Sequence, residues 1–110
     1  MKKRVVVTGT GIISPIGEDW ATVYAALKAK QNAVRVMDEW VANPKIRSKL
    51  AAPAIFTDPG FPRKTVRGMG RVALLAVTAA HRAVTQAGLL DDPVLSGGDS
   101  GVACGVSSGS

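Results

Sequence analysis

Residues 101–110 read GVACGVSSGS. The first six combine small and branched apolar side chains, which is typical of a strand that is buried on both faces of a sheet. Ser107–Ser110 then supply the tight turn that leaves the strand. Because a parallel strand of this kind is normally followed by a crossover helix, we expect the chain to be the amino-terminal piece of a larger protein.

The start of the chain predicts another buried strand and then a helix. Arg4–Thr8 (RVVVT) is a β-branched run that ends at Gly9, and turn-forming residues continue to Gly17. Acidic residues favour the start of a helix, and apolar residues then recur three and four apart, as on one helical face. The acidic residues are Glu18 and Asp19, and the apolar ones are Trp20, Val23, Tyr24 and Leu27.

The longest predicted helix is Thr65–Ala87, with Thr65 as its amino-terminal cap and Gly88 just past its end. Apolar residues cover more than half of its circumference, so we expect it to be buried in the middle of a domain. Leu50–Phe56 is a candidate strand that Pro53 would confine to a sheet edge. The order β, α, edge strand, α, β predicts an α/β fold.

Composition limits the possibilities further. The chain has 110 residues, of which 46% are apolar, so residues 1–110 suit one portion of a folded domain and not a disordered segment. Cys104 is the single cysteine, which excludes a disulfide within the chain. The apolar runs are too short for a signal peptide or a membrane span. We therefore expect a cytoplasmic protein with no membrane partner.

The chain has a net charge of +6, and its middle is basic. Basic side chains outnumber acidic ones in residues 31–70, but not in residues 71–110. This pattern fits either an anionic partner or a solvated face. Lys64, Arg67 and Arg71, next to Arg63, are three and four apart and would share one face of the predicted helix. Nucleic acid is not expected, because Phe61 alone is nearby to stack on bases.

The motif TGTGIIS, residues 8–14, suggests a dinucleotide-binding turn because it lies between a predicted strand and a predicted helix. Gly9 and Gly11 fit that motif, but Ser14 occupies the position of the third glycine. The acidic ribose-binding residue that should end a second strand is also missing. A structural turn is the preferred interpretation.

No catalytic residue is predicted within the chain. Cys104 lies in an apolar run with no cation or helix start beside it to lower its pKa, so it is interpreted as a small buried core residue. His81 is the single histidine and lies within a predicted helix. One cysteine and one histidine supply neither a nucleophile with an oriented base nor a metal site.

Three blocks together resemble a known family. VVVTGTGIISPIG, RKTVRGMGRVALLAVTAAHRAVTQAGL and GVACGVSSGS are similar, in order and spacing, to the amino-terminal region of β-ketoacyl-acyl-carrier-protein synthases of the elongating type. The resemblance implies the amino-terminal part of the first α/β half of a thiolase-like fold. It also implies a homodimer in fatty-acid synthesis that needs no metal or organic cofactor. The family's nucleophilic cysteine and two histidines would follow residue 110, so the chain alone is expected to be inactive.

The resemblance also suggests roles for individual residues. Lys64 and Arg67 match positions at which the family docks the acidic acyl carrier protein, and Arg63 and Arg71 would assist them. Ser108 matches a position that limits the depth of the acyl pocket.

Two alternative functions remain open. One is a condensing-enzyme relative without catalytic residues, such as a subunit that sets chain length. The other is a small nucleotide-binding α/β module, which Ser14 disfavours.

Overall fold

The computed structural model describes residues 1–107 and divides into two compact units. One unit consists of Ile12–Thr57. The other consists of Met1–Gly11 together with the chain from Asp58 onward. Among the described residues, each unit contains one helix of nine or more residues.

Helix α1, Trp20–Lys28, is the main element of the first unit and begins as predicted at Asp19. The Asp19 carboxylate accepts hydrogen bonds from the backbone N–H of Thr22 at 2.8 Å and from its hydroxyl at 2.7 Å. These bonds, the backbone one first, hold the pKa of Asp19 below its ordinary value. Glu18 has a different role, since its carboxylate accepts from the backbone N–H and the hydroxyl of Thr57.

The predicted apolar face of α1 is only partly buried. Val23 is buried together with Ala26, whereas Trp20, Tyr24 and Leu27 are exposed. The rings of Trp20 and Tyr24 contact each other with centroids 5.6 Å apart. The helical period was therefore predicted correctly, but Val23 is the one residue of this apolar face that is buried.

The first unit also contains a small antiparallel sheet. Strand β1, Arg35–Val36, pairs with strand β2, Leu50–Ala51, and the short helix α2, Asp38–Val41, lies between them in sequence. The predicted strand Leu50–Phe56 begins correctly but ends at Ala51. Pro53 has no N–H to continue the ladder, which accounts for the short strand.

The second unit contains helix α3, Arg63–Val66, helix α4, Arg71–Gln86, and a 3₁₀ turn at Pro93–Leu95. The prediction of one continuous helix from Thr65 is therefore wrong at its amino-terminal end. Gly70 is the cap of α4, with extended backbone angles, and each glycine costs about 1 kcal/mol inside a helix. The carboxyl-terminal end is confirmed, because Gly88 follows α4 in the left-handed region at φ +71°.

The glycines near the start of the chain pack against a row of alanines on α4. A Cβ atom on Gly11 would overlap the carbonyl oxygen of Ala79 and lie 2.8 Å from its carbonyl carbon. A Cβ atom on Gly9 would overlap the carbonyl oxygen of Ala83 and lie 2.9 Å from the nitrogen of Ala87. The loop and the helix thus meet backbone to backbone, and only glycine permits this approach.

Hydrogen bonds fix this contact. The N–H of Thr10 donates to Oε1 of Gln86 at 2.6 Å, and the Thr10 hydroxyl donates to the same oxygen at 3.2 Å. Within α4, Thr78 is only 1% exposed, and its hydroxyl donates to the carbonyl oxygen of Leu74 at 2.6 Å. The TGTG motif therefore packs against a helix, which agrees with the structural-turn interpretation.

Neither predicted terminal strand is paired in the part of the chain that the structure describes. Val5 is 93% exposed and Val102 is 97% exposed. A strand forms only when a neighbour accepts and donates its backbone hydrogen bonds, and no described residue pairs with Arg4–Thr8 or with residues 101–106. The expected burial of these segments is wrong for this structure, and so is that of Cys104, which is exposed.

Candidate functional site

Three exposed cations form the candidate site. Arg63, Lys64 and Arg67, called the cation cluster below, line a cavity of about 430 Å³. Among the residues that the structure describes, none forms a hydrogen bond or ion pair with their side chains. The cluster therefore presents positive charge that no described acidic residue neutralises.

The short helix α3 brings these cations together. Pro62 precedes it and accepts a hydrogen bond from the N–H of Thr65 at 2.8 Å, while the N–H of Arg67 donates to the carbonyl oxygen of Arg63 at 3.0 Å. Residues three and four apart then project from one side of the turn. The grouping of Lys64 and Arg67 on one face agrees with the sequence interpretation, although the helix is shorter than predicted.

Arg71 does not belong to the cluster. It begins α4 beyond the break at Gly68–Gly70, does not line the cavity, and has an interaction of its own within the structure. The predicted face shared by Lys64, Arg67 and Arg71 required a continuous helix, so this part of the interpretation is wrong.

A hydrogen-bonded turn and an aromatic contact hold the segment that precedes α3. The Asp58 carboxylate accepts a hydrogen bond from the N–H of Gly60 at 2.8 Å, and Gly60 adopts φ +70°. The half-buried Phe61 then contacts His81 of α4 edge to face, with ring centroids 5.3 Å apart and planes at 75°. Sequence reasoning missed this contact, because no spacing rule relates a loop residue to a distant helical position.

Another basic residue of the same region has a structural role. The ammonium group of Lys49 donates to the carbonyl oxygens of Trp40 at 2.7 Å and Asn43 at 2.5 Å. It thereby satisfies backbone acceptors at and just beyond the end of α2. The basic charge of residues 31–70 therefore includes a structural cation as well as the unpaired cluster.

Comparison with known proteins identifies the family. Residues 2–110 match the family model of the β-ketoacyl synthase, N-terminal domain. The chain belongs to the β-ketoacyl synthase family. The resemblance to condensing enzymes is confirmed, and so is the partial thiolase-like fold.

Several β-ketoacyl synthases are similar to this chain. The 3-oxoacyl-[acyl-carrier-protein] synthase 1 of Haemophilus influenzae is 37% identical, over 98% of this chain and 26% of the relative. The oxytetracycline polyketide putative beta-ketoacyl synthase 1 of Streptomyces rimosus is 33% identical, over 94% of this chain and 25% of the relative. The chain spans about a quarter of the length of these relatives.

A solved structure supports the same assignment. The crystal structure of a β-ketoacyl synthase from Burkholderia phymatum STM815 matches with a TM-score of 0.76 and 41% identity. The match covers 88% of this chain and 24% of that one. The docking roles of Lys64, Arg67, Arg63 and Arg71 stay predictions after these comparisons.

The other sequence candidates have different outcomes in this β-ketoacyl synthase chain. Cys104 is a free, exposed thiol, and His81 packs on Phe61. Ser108, the predicted acyl-pocket residue, lies outside the described residues. Within the described range 1–107, no three His, Cys, Asp or Glu side chains are grouped as metal ligands, and no helix is long and apolar enough to cross a membrane.

A second cavity, of about 640 Å³, lies along α1 in the other unit. Its described lining carries no ionisable side chain, so it offers no charge for binding an anion and no acid or base. The lining residues are Ile16, Ala21, Thr22, Ala25, Ala26, Ala29 and Gln31.

Proposed function

We propose that this chain is part of a β-ketoacyl-acyl-carrier-protein synthase of fatty-acid synthesis. The reaction would join an acyl thioester to malonyl-carrier protein. Loss of carbon dioxide from the malonyl group leaves a carbanion, which attacks the acyl carbonyl, forms the new carbon–carbon bond and expels the thiolate. Membership of the family and the similarity to the Haemophilus influenzae synthase support this reaction class.

Within that enzyme, the cation cluster would dock the acyl carrier protein. The observation that carries this proposal is the set of exposed and unpaired cations, Arg63, Lys64 and Arg67, around a single cavity. An acidic carrier protein would gain favourable contacts there without first breaking ion pairs within the chain. Attraction of this kind acts mainly on the rate of association and is screened by salt.

Charge reversal tests the docking proposal. In the complete synthase, the double variant Lys64→Glu, Arg67→Glu should raise KM for carrier-bound substrates about tenfold at low ionic strength, and less at high ionic strength. Its kcat on small thioester analogues should stay unchanged, because these do not reach the cluster. The measurement is steady-state kinetics with both substrate types at two salt concentrations.

A matched control separates docking from net charge. The double variant Arg35→Glu, Lys45→Glu makes the same change in charge at exposed positions of the other unit. It should alter KM for carrier-bound substrates much less. An equal rise in both double variants would mean that total charge governs the effect and that the cation cluster is only a solvated face.

Catalysis by the chain alone is not part of the proposal. The purified 110-residue chain should form no ketoacyl product from acyl- and malonyl-carrier protein, since one cysteine and one histidine cannot supply a nucleophile with two activating histidines. Turnover that disappeared in a Cys104→Ala variant would contradict this expectation. For the complete enzyme we propose a homodimer, which sedimentation can test.

Polyketide extension is a second candidate, favoured by the similarity to the Streptomyces rimosus polyketide protein. Both functions use carrier-bound thioesters, so the cation cluster does not distinguish them. Competition between fatty-acid and polyketide carrier proteins for the complete enzyme would do so. Preference for the polyketide carrier would exclude fatty-acid synthesis as the main role.

A further inference from the structure

The contact between Phe61 and His81 links the loop before α3 to the middle of α4. The two rings meet edge to face, an arrangement that is favourable beyond the burial of area. His81 is exposed on α4, and Phe61 is half-buried. The rings thus form an external contact between the two elements.

The backbone between Phe61 and the cation cluster has little conformational freedom. Pro62 follows Phe61 with its φ fixed by the ring, and its carbonyl oxygen accepts the first hydrogen bond of α3, from Thr65. On the other side, Gly60 is held by the Asp58 carboxylate. Phe61 therefore directly precedes the cap of α3, and its ring is held close to the start of the segment that carries the cation cluster.

The carboxyl-terminal end of α3 is joined to the start of α4 through residues 67–70. The N–H of Met69 donates to the carbonyl oxygen of Val66, and α4 begins at Arg71. Arg71 and His81 are about 15 Å apart along the helix axis, because each helical residue rises about 1.5 Å. The segment that carries the cation cluster is thus fastened to α4 at two separated points.

We propose that His81 is a positioning residue for docking, which holds the cation cluster in place through Phe61. This inference rests on the proposed docking function. Without the ring at position 81, the segment would lose its aromatic contact with the middle of α4. The three cations would then be less well ordered before the carrier protein arrives, and binding would have to order them.

The test compares His81→Ala with His81→Phe in the complete synthase. His81→Ala should raise KM for carrier-bound substrates about three- to tenfold, because the free energy of an aromatic pair corresponds to a factor of about this size in an equilibrium constant. It should leave kcat on small thioesters unchanged. His81→Phe keeps a ring and should restore KM to within about twofold of the wild-type value. Alanine at an exposed helical position does not endanger folding.

Tyr24→Ala is the matched control, since it removes a similar ring pair, with Trp20, in the other unit. It should leave KM for carrier-bound substrates unchanged. If Lys64→Glu, Arg67→Glu raises KM and His81→Ala does not, docking stands and the positioning role is wrong. If neither raises KM, the docking proposal itself fails. A KM for His81→Phe as high as that for His81→Ala would also contradict the role of the ring.

Discussion

Two glycine-containing segments of the chain have opposite surroundings. The backbone at Gly9 and Gly11 lies directly against α4, where an added Cβ atom would overlap backbone oxygens. At Gly101 and Gly105, an added Cβ atom would meet nothing within 4 Å. Both segments have the small and branched composition of buried structure, yet only the first has a packing partner among the described residues.

The difference shows what composition alone can predict. The valines of Arg4–Thr8 and of residues 101–106 indicate burial, but no described residue covers or pairs with them. The Gly9–Gly11 turn finds its partner in the alanine row of α4. A glycine pair two residues apart and alanines four residues apart were the signal for this contact, and it can be recognised only when both are considered together.

The largest expected effect comes from adding a methyl group to the first segment. Gly11→Ala should destabilise the chain by about 3 kcal/mol, because the backbone of α4 cannot yield as a flexible side chain would. Denaturant unfolding followed by helical circular dichroism measures the change. Gly101→Ala and Gly105→Ala are the controls and should stay within about 0.5 kcal/mol of the wild type. Equal losses at Gly11 and Gly101 would show that the two segments do not differ.

A smaller loss of stability is expected when the hydrogen bonds of the same contact are removed. Gln86→Ala removes the acceptor of both Thr10 bonds and should cost about 1 kcal/mol, as for a typical hydrogen bond that is partly exposed to water. The same unfolding measurement applies. Gln31→Ala in the other unit is a suitable control and should have little effect. No loss at Gln86 would mean that the glycine backbone contact alone fixes the segment.

Acid should affect the unit of α1 before it affects the Gly9–Gly11 contact. The pKa of Asp19 is lowered on folding, so its capping contribution is complete above about pH 4 and is lost as pH falls through the lower folded value. The Thr10–Gln86 contact contains no titratable group. Asp19→Asn keeps a capping side chain and should remove this pH dependence. The check is helical circular dichroism against pH, where identical curves for both proteins would contradict it.

The smallest effect on stability is expected at the exposed second segment. Val102→Asp should change the free energy of unfolding by no more than about 0.5 kcal/mol, because the valine is 97% exposed. It should nevertheless reduce self-association and hydrophobic-dye binding, since exposed apolar surface promotes both. Dye fluorescence and sedimentation measure these changes. A large loss of stability would show that residues 101–106 are packed in solution.

Features that depend on neighbouring residues were predicted well from the sequence. The start of α1 at Asp19 and the end of α4 before Gly88 follow from capping chemistry within a few residues. Gly68 and Gly70 are poor helix formers, and their combined cost of about 2 kcal/mol accounts for the break between α3 and α4. The expectation of a continuous helix therefore grouped Arg71 with Lys64 and Arg67, although Arg71 belongs to the next helix.

Features that depend on distant partners could not be predicted in the same way. The site residues Arg63, Lys64 and Arg67 were identified from charge and from the family resemblance, and the structure places them around one cavity. The support from Phe61 and His81 was missed, because the two rings are brought together only by the fold. The segments Arg4–Thr8 and 101–106 show the opposite. Their composition favours strands, but no described residue supplies the hydrogen-bonding partner that a strand needs.

The break between α3 and α4 has a consequence for how this protein can evolve. Positions on α4 such as Ala79 and Ala83 are constrained by volume, because glycine backbone lies against them. Positions on α3 such as Lys64 face solvent and are constrained mainly by charge. Since residues 67–70 separate the two helices, the charge of α3 can change through substitutions while the packing of α4 is inherited intact. Exchanging this one short segment would therefore alter the surface charge of the unit without disturbing the glycine contact.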